Sequence, residues 1–258
     1  MIGDVVGEPG LDILERSLPA LIKDNSADFV VVNGENVFGG FGITAPLLER
    51  LLASGADVVS GGNHTWEQRE FWPSLDSEER VLRPLNYPAG SPGRGWVKLE
   101  KTSSDGTPIN YLTVNLQGRE LMSPLDCPFR TFDSLEAQIQ EKTVVLVDFH
   151  AESTREKESL GYYLDGRASV VAGTHTHVQT ADERILPNGT AYITDLGMSG
   201  ILDGVIGMDS KICMDRARNQ VLYRMETAAS VKDSKTAIQG IIADIDITRG
   251  RAVSIKRI

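Results

Sequence analysis

Residues 169–177 read SVVAGTHTH, a short β-branched run that delivers two histidines two positions apart. Residues 143–150 (TVVLVDFH) and 56–64 (ADVVSGGNH) are built the same way, so all four histidines of the 258-residue chain, His64, His150, His175 and His177, follow apolar runs. Two further runs end comparably: DFVVVN (28–33) leads into the group NGEN (Asn33 to Asn36), and the first residues deliver Asp4. In α/β sheets the carboxyl ends of parallel strands lie along one edge, where ligands bind. Five such ends are therefore predicted to enclose one polyvalent site.

Amphipathic stretches separate the runs. Leu11 to Asp24 carries Leu14, Leu18, Leu21 and Ile22 at helical spacing, Thr44 with Pro46 announces a helix over APLLERLLASG (45–55), and STREKESLGYYL (153–164) reads as another. This βαβ alternation predicts an α/β fold. The middle, 81–118, has alternating runs around Asp105-Gly106 and is expected to be antiparallel; residues 236–258 repeat that pattern around Arg249-Gly250, so the sheets are expected to be mixed. With 41% apolar residues and neither repeat nor linker, residues 1–258 read as one domain.

Acidic residues outnumber basic ones by 36 to 26, a balance that disfavours binding to nucleic acid or anionic lipid but leaves room for a small phosphorylated substrate beside bound cations. Cys127 and Cys213 are far apart without CxxC spacing, and no run of about eighteen apolar residues occurs. A soluble, cytoplasmic protein is expected, with no membrane partner and no strong nucleic-acid binding; self-association into a homo-oligomer stays open.

Extended backbone at His175 and His177 would send both imidazoles to one face, while the neighbours Asn63 and His64 would diverge, the amide toward metal and His64 toward substrate. Gly61 and Gly62 permit the close approach this needs. Carboxylate, amide oxygen and imidazole without thiolate suit manganese, iron or zinc in an open catalytic site. With Glu35 shared, two ions about 3.5–4 Å apart would clamp a phosphoryl group and activate a water for in-line attack. Phosphoester hydrolysis is the predicted chemistry.

Together with these, the segments RPLNYP (83–88), NLQGR (115–119), VDFHAE (147–152), SLGYYLDGRAS (159–169), THVQTADERILPNGTAYITDLGM (176–198) and GVIGMD (204–209) resemble the calcineurin-like metallophosphoesterases, and more closely the bacterial YmdB-like phosphodiesterases, from Gly3 to the C-terminus. The resemblance implies a four-layer α/β/β/α sandwich with mixed sheets and two divalent or trivalent ions, iron or manganese first, zinc or magnesium as alternatives. It implies Asp4, Glu35, Asn36 and His177 around one ion, Glu35, Asn63, His150 and His175 around the other, and His64 as proton donor. It also implies a small phosphodiester substrate, a 2′,3′- or 3′,5′-cyclic nucleotide. The alternatives are a phosphomonoesterase or RNA-directed nuclease on the same site, or a metal-binding regulatory protein acting through a partner. The superfamily's Asp-x-His is here Asp4-Val5-Val6, a gap the YmdB-like subgroup shares and Asn36 is expected to fill. Only Met1 and Ile2 precede Gly3, so a short first strand and a loosely held Asp4 are expected.

Other features have simpler explanations. Gly3, Gly7 and Gly10 lack the spacing of a nucleotide loop and read as a turn before a helix. Asp244 and Asp246 alternate with isoleucine on the solvent face of a strand, and Trp66 and Trp96 read as packing residues. Asp148, Glu152 and Arg167 stay outside the primary set, as charges that are usually solvated.

Overall fold

A computed structural model describes residues 1–103, 106–137, 139, 143–230 and 233–258. The first half runs β1 (Asp4–Val5), α1 (Gly7–Asn25), β2 (Val31–Asn33), α2 (Ala45–Ala53), β3 (Val58–Ser60), α3 (Trp72–Ser77), β4 (Trp96–Thr102), β5 (Pro108–Gln117) and α4 (Pro128–Glu136). The second half runs β6 (Thr143–His150), α5 (Thr154–Tyr163), β7 (Val170–Thr174), β8 (Arg184–Ile185), β9 (Ala191–Ile193), β10 (Met198–Ile201), α6 (Ser210–Asn219), β11 (Thr236–Ala237), β12 (Ile241–Asp246) and β13 (Arg251–Arg257).

One sheet has the order β4-β5-β6-β7-β9-β8. Its centre is parallel, and the edge pairs β4–β5 and β8–β9 are antiparallel. The predicted antiparallel character of 81–118 thus holds for β4 against β5, while β5 pairs parallel with β6 on its other side. Asp105 of the expected turn lies outside the described residues. The second sheet joins β11, β10 and β1 to the parallel pair β2–β3 through a parallel bridge from Ile2 to Val32. The β12–β13 hairpin forms where the C-terminal alternation predicts it, with Asp244 exposed.

Period-two alternation sorts the strands into layers. Val144 and Leu146 of β6 face Val31 and Val58 of the other sheet, whereas Val145, Val147 and Phe149 pack on Phe132, Leu135 and Leu160 of α4 and α5. On the far side, Leu11, Leu14, Leu18, Leu47 and Leu51 of α1 and α2 cover Val32 and Val59. The result is the predicted α/β/β/α sandwich. Helix α1 starts at Gly7 rather than Leu11, because Gly10, without a Cβ, lets it lie directly on the Ser199 carbonyl of β10. No helix among the described residues is long and apolar enough to cross a membrane.

Candidate metal centre and active site

The same alternation builds the site. At the carboxyl edge the faces that are apolar between the sheets turn polar: Val31 gives way to Asn33, Val58 to Ser60, Leu146 to Asp148 and His150, and Ala172 to Thr174. Asp148, 1% exposed, accepts from Asn33 Nδ2 (3.0 Å), Ser60 Oγ and Thr174 Oγ1 (2.6 Å), tying both sheets together. Burial pushes its carboxyl up to about 6, against the opposing pull of Ser60 and Thr174. The sequence reading leaves Asp148 outside the primary set; its signal is its position two residues before His150 on one strand face.

Around His150 Nε2 lie Glu35 Oε1, Asn63 Oδ1 and His175 Nδ1, each at 3.0 Å. One ring nitrogen carries a single proton or a single lone pair, so it cannot serve three such neighbours. The other ring nitrogens are already placed: His150 Nδ1 lies 3.0 Å from Thr174 Oγ1, which itself donates to Asp148, and His175 Nε2 lies 3.2 Å from Glu152. With those nitrogens donating outward, the lone pairs of His150 and His175 point inward with the Glu35 carboxylate and the Asn63 oxygen. Outer partners of this kind fix the tautomer of a metal-ligating histidine, and four inward donors fit a cation.

A second convergence adjoins it. Asn36 Nδ2 stands 3.2 Å from Asp4 Oδ1, 3.3 Å from Glu35 Oε1 and 3.1 Å from His177 Nε2. An amide has two hydrogens for three acceptors; turned over, its oxygen joins them as a fourth donor to a cation. His177 Nδ1 bonds the Ile206 carbonyl at 2.9 Å, which leaves Nε2 facing inward. The structure thus brings Asp4, Glu35, Asn36 and His177 together in one group and Glu35, Asn63, His150 and His175 in another, with Glu35 common to both.

Without a cation, charge is balanced by protons. Burial depresses the His175 imidazole to about 3, helped by repulsion from His150. At His177 burial acts the same way, but Asp4 outweighs it and pushes the ring up to about 9. Burial is likewise overridden at His150, raised by Glu35, and at Asp4 and Glu35, held below the usual carboxylate range by His177 and His150 respectively. Cation binding replaces those protons.

Two expectations about backbone change. The histidines of THTH are not extended: β7 ends at Thr174, and His175 and His177 have φ of 97° and 62°. Two non-glycine residues in that region cost on the order of 1–3 kcal/mol each, and the bend turns their rings to different donor groups. Asp4 is not loosely held. The strand is short, but the residue is fully buried, its N–H bonds Gly197 O (3.1 Å), and its carboxylate accepts the His175 N–H (3.2 Å).

His64 stays apart from the donor groups at the ring. Its N–H donates to Glu35 Oε2 (3.0 Å), while Nδ1 lies 3.2 Å from Glu67 and the ring meets Phe41 edge-on. It lines a cleft of about 760 Å³ whose floor includes Glu35, Asn36, His175 and His177. The rest of the lining includes Ile206, Met208, Arg216, Gln220 and Met225, in and around α6. Glu152 also lines the cleft, whereas Arg167 is engaged elsewhere with Asp133 and Glu136. Trp66 packs against Tyr87 and bonds the Pro92 carbonyl, as a structural residue. Sequence reading missed the α6 wall, because nothing in its spacing announces which groove a half-exposed helix borders.

Residues 1–258 match the YmdB-like protein family over the whole chain. The chain belongs to the YmdB-like family. It is 44% identical, across its full length and 94% of the relative, to the 2′,3′-cyclic-nucleotide 2′-phosphodiesterase of Bacillus subtilis (strain 168). Its fold superposes on a crystal structure of a novel phosphatase from Mycoplasma pneumoniae with a TM-score of 0.89 at 29% identity, covering 100% of this chain and 90% of that one. A more distant likeness, TM-score 0.53 at 12% identity over 88% of this chain and 81% of the other, is to the calcineurin-like phosphoesterase YfkN of Bacillus subtilis. This YmdB-like chain therefore has the calcineurin-like sandwich that its sequence predicts.

Proposed function

We propose that the protein is a metal-dependent phosphodiesterase that opens cyclic nucleotides, 2′,3′-cyclic monophosphates first and 3′,5′-cyclic monophosphates as a further substrate class. The observation that carries this reading is the convergence of Glu35, Asn63, His150 and His175 on one point, with a second donor group sharing Glu35 and His64 at the rim. Asp4, Glu35, Asn36 and His177 would hold one ion and Glu35, Asn63, His150 and His175 the other, with iron or manganese best matched to these donors and zinc or magnesium as alternatives. Such ions neutralise phosphoryl charge and lower the pKa of a water in the site.

In the reaction a water oxygen adds to phosphorus, the bond from phosphorus to the 2′ oxygen breaks, and that oxygen takes a proton to leave a nucleoside 3′-phosphate. His64 supplies the proton when it is an imidazolium: Nδ1–H donates to Glu67, which fixes the ring, and the second N–H, on Nε2, serves the cleft. Arg216 is the one lysine or arginine among the described residues lining the cleft, and it meets the anionic substrate there. The cleft volume of about 760 Å³ has room for a nucleotide, with Phe41, Ile206 and Met225 offering apolar surface to its base. We place the protein in the cytoplasm, where its two unpaired cysteines stay reduced.

The test is a panel of 2′,3′- and 3′,5′-cyclic nucleotides, a chromogenic diester, a monoester and RNA, assayed on protein of measured metal content. Cleavage of the cyclic diesters that is abolished by chelation is the expected result. His64→Ala should lose at least about 10²-fold in turnover while retaining its metal. No cleavage at full metal occupancy would overturn the assignment.

A further inference from the structure

Thr176 stands between the two positive-φ histidines and lines the cleft beside them. Its N–H (3.2 Å) and its hydroxyl (2.8 Å) both donate to Asp195 Oδ2, which follows β9. The same oxygen accepts Lys157 Nζ at 2.6 Å from α5, and Oδ1 accepts the Gly197 N–H at 2.9 Å. Both charged side chains are 1% exposed. The Lys157 stem runs beside Gly173, where a Cβ would stand 2.9 Å from its Cδ. An ion pair so fully desolvated is a poor source of stability, since apolar residues of similar volume usually do as well or better. Its placement has a different consequence: a carboxylate with all its hydrogen bonds fixed grips the middle of a loop whose flanking residues would otherwise relax out of the left-handed region.

We propose that Lys157 and Asp195 are positioning residues that lock the His175–Thr176–His177 loop through Thr176, and so set how tightly the two histidines can hold a metal ion. This rests on the reading of His175 and His177 as ligands. Neither Lys157 nor Asp195 lines the cleft, so their effect falls on metal affinity and not on substrate contact.

The experiment is calorimetric titration of Mn²⁺ into chelator-stripped full-length protein, with melting temperature and, at saturating Mn²⁺, kcat and KM measured alongside. Thr176→Val deletes only the hydroxyl donor and should weaken Mn²⁺ binding about tenfold. Thr176→Ser, which keeps the hydroxyl, should restore the affinity. Lys157→Met should weaken binding 10- to 100-fold and lower the melting temperature; adding Asp195→Asn removes the stranded charge and should recover the melting temperature without the affinity. Parental Mn²⁺ affinity in Thr176→Val or in the double variant overturns the proposal, as does a Thr176→Ser variant as weak as Thr176→Val. His177→Ala separates the two levels of inference. If it binds Mn²⁺ like the parent, the ligand reading fails; if it binds weakly while the loop variants do not, only the positioning role fails.

Discussion

Gly62→Ala puts one methyl group into the centre of the donor set. A Cβ at Gly62 would stand 2.5 Å from His150 Cδ2 and closer still to His150 Nε2 and Glu35 Oε2, where real Cβ atoms essentially never approach within 3.0 Å. Neither neighbour can swing away, because His150 is 0% and Glu35 2% exposed and both are hydrogen-bonded. The imidazole and carboxylate must therefore retreat by at least about 0.5 Å, more than twice the roughly 0.2 Å by which metal–ligand distances vary. Misplacement on this scale is expected to cost 10- to 100-fold in Mn²⁺ affinity and in turnover. Overpacking a buried site adds a loss of about 1–3 kcal/mol, a drop of several degrees in melting temperature for a chain of this length. Gly200→Ala is the control: its Cβ would meet the Val6 carbonyl oxygen at 3.5 Å, an ordinary contact, and the variant should keep parental affinity and melt near the parent. Calorimetric titration with Mn²⁺ and a chromogenic diester assay read both variants. Parental affinity and turnover in Gly62→Ala would refute the assignment of Gly62 to the edge of the donor set.

Other perturbations probe separate parts of the site. Because burial raises Asp148 from 3.8 to about 6, its contribution in chelator-stripped protein favours the fold below the unfolded value and is lost as pH rises from about 4 to 6. Denaturant titrations across that range should show stability falling by up to about 3 kcal/mol relative to Asp148→Asn, and parallel curves for the two proteins would contradict it. Arg216→Ala should raise KM for an anionic cyclic nucleotide several-fold more at low salt than at high salt, with kcat little changed; an unchanged KM removes Arg216 from substrate binding. Metal removal should lower the melting temperature, and Mn²⁺ at 100 times its dissociation constant should return about 2.7 kcal/mol of stability; identical melts with and without chelator would speak against a cation in this site.

Much of the site could be read from the chain because strand geometry is local. Asp148 and His150 share a face with Val144 and Leu146 by alternation alone, and the four apolar runs that end in Asn33, Ser60, His150 and Thr174 are contiguous stretches. The α/β/β/α layering follows from the same two periods, since residues at spacing two and at helical spacing must each bury one face. What resisted reading were groups whose meaning depends on residues remote in sequence. Lys157 looks like any lysine on an amphipathic helix until Asp195, 38 residues on, is seen beside it. Arg216 and Met225 become cleft residues only because the fold brings the region around α6 to the same cleft as His64 and His177.

Sequence by itself determined which residues could hold a metal and on which strand ends they stand, because hydrophobic periodicity fixes the direction of side chains within an element. The tertiary structure decided how the donors converge. Alternation predicts that His175 and His177 share a face on extended backbone, yet left-handed φ values turn one ring to Glu35 and His150 and the other to Asp4 and Asn36. Histidine enters that region more readily than most residues, but local preference alone does not select it. It exists because long-range contacts, from Asp4 to the His175 N–H, from Ile206 to His177 and from Asp195 to Thr176, stabilise a bend that the isolated segment would not adopt.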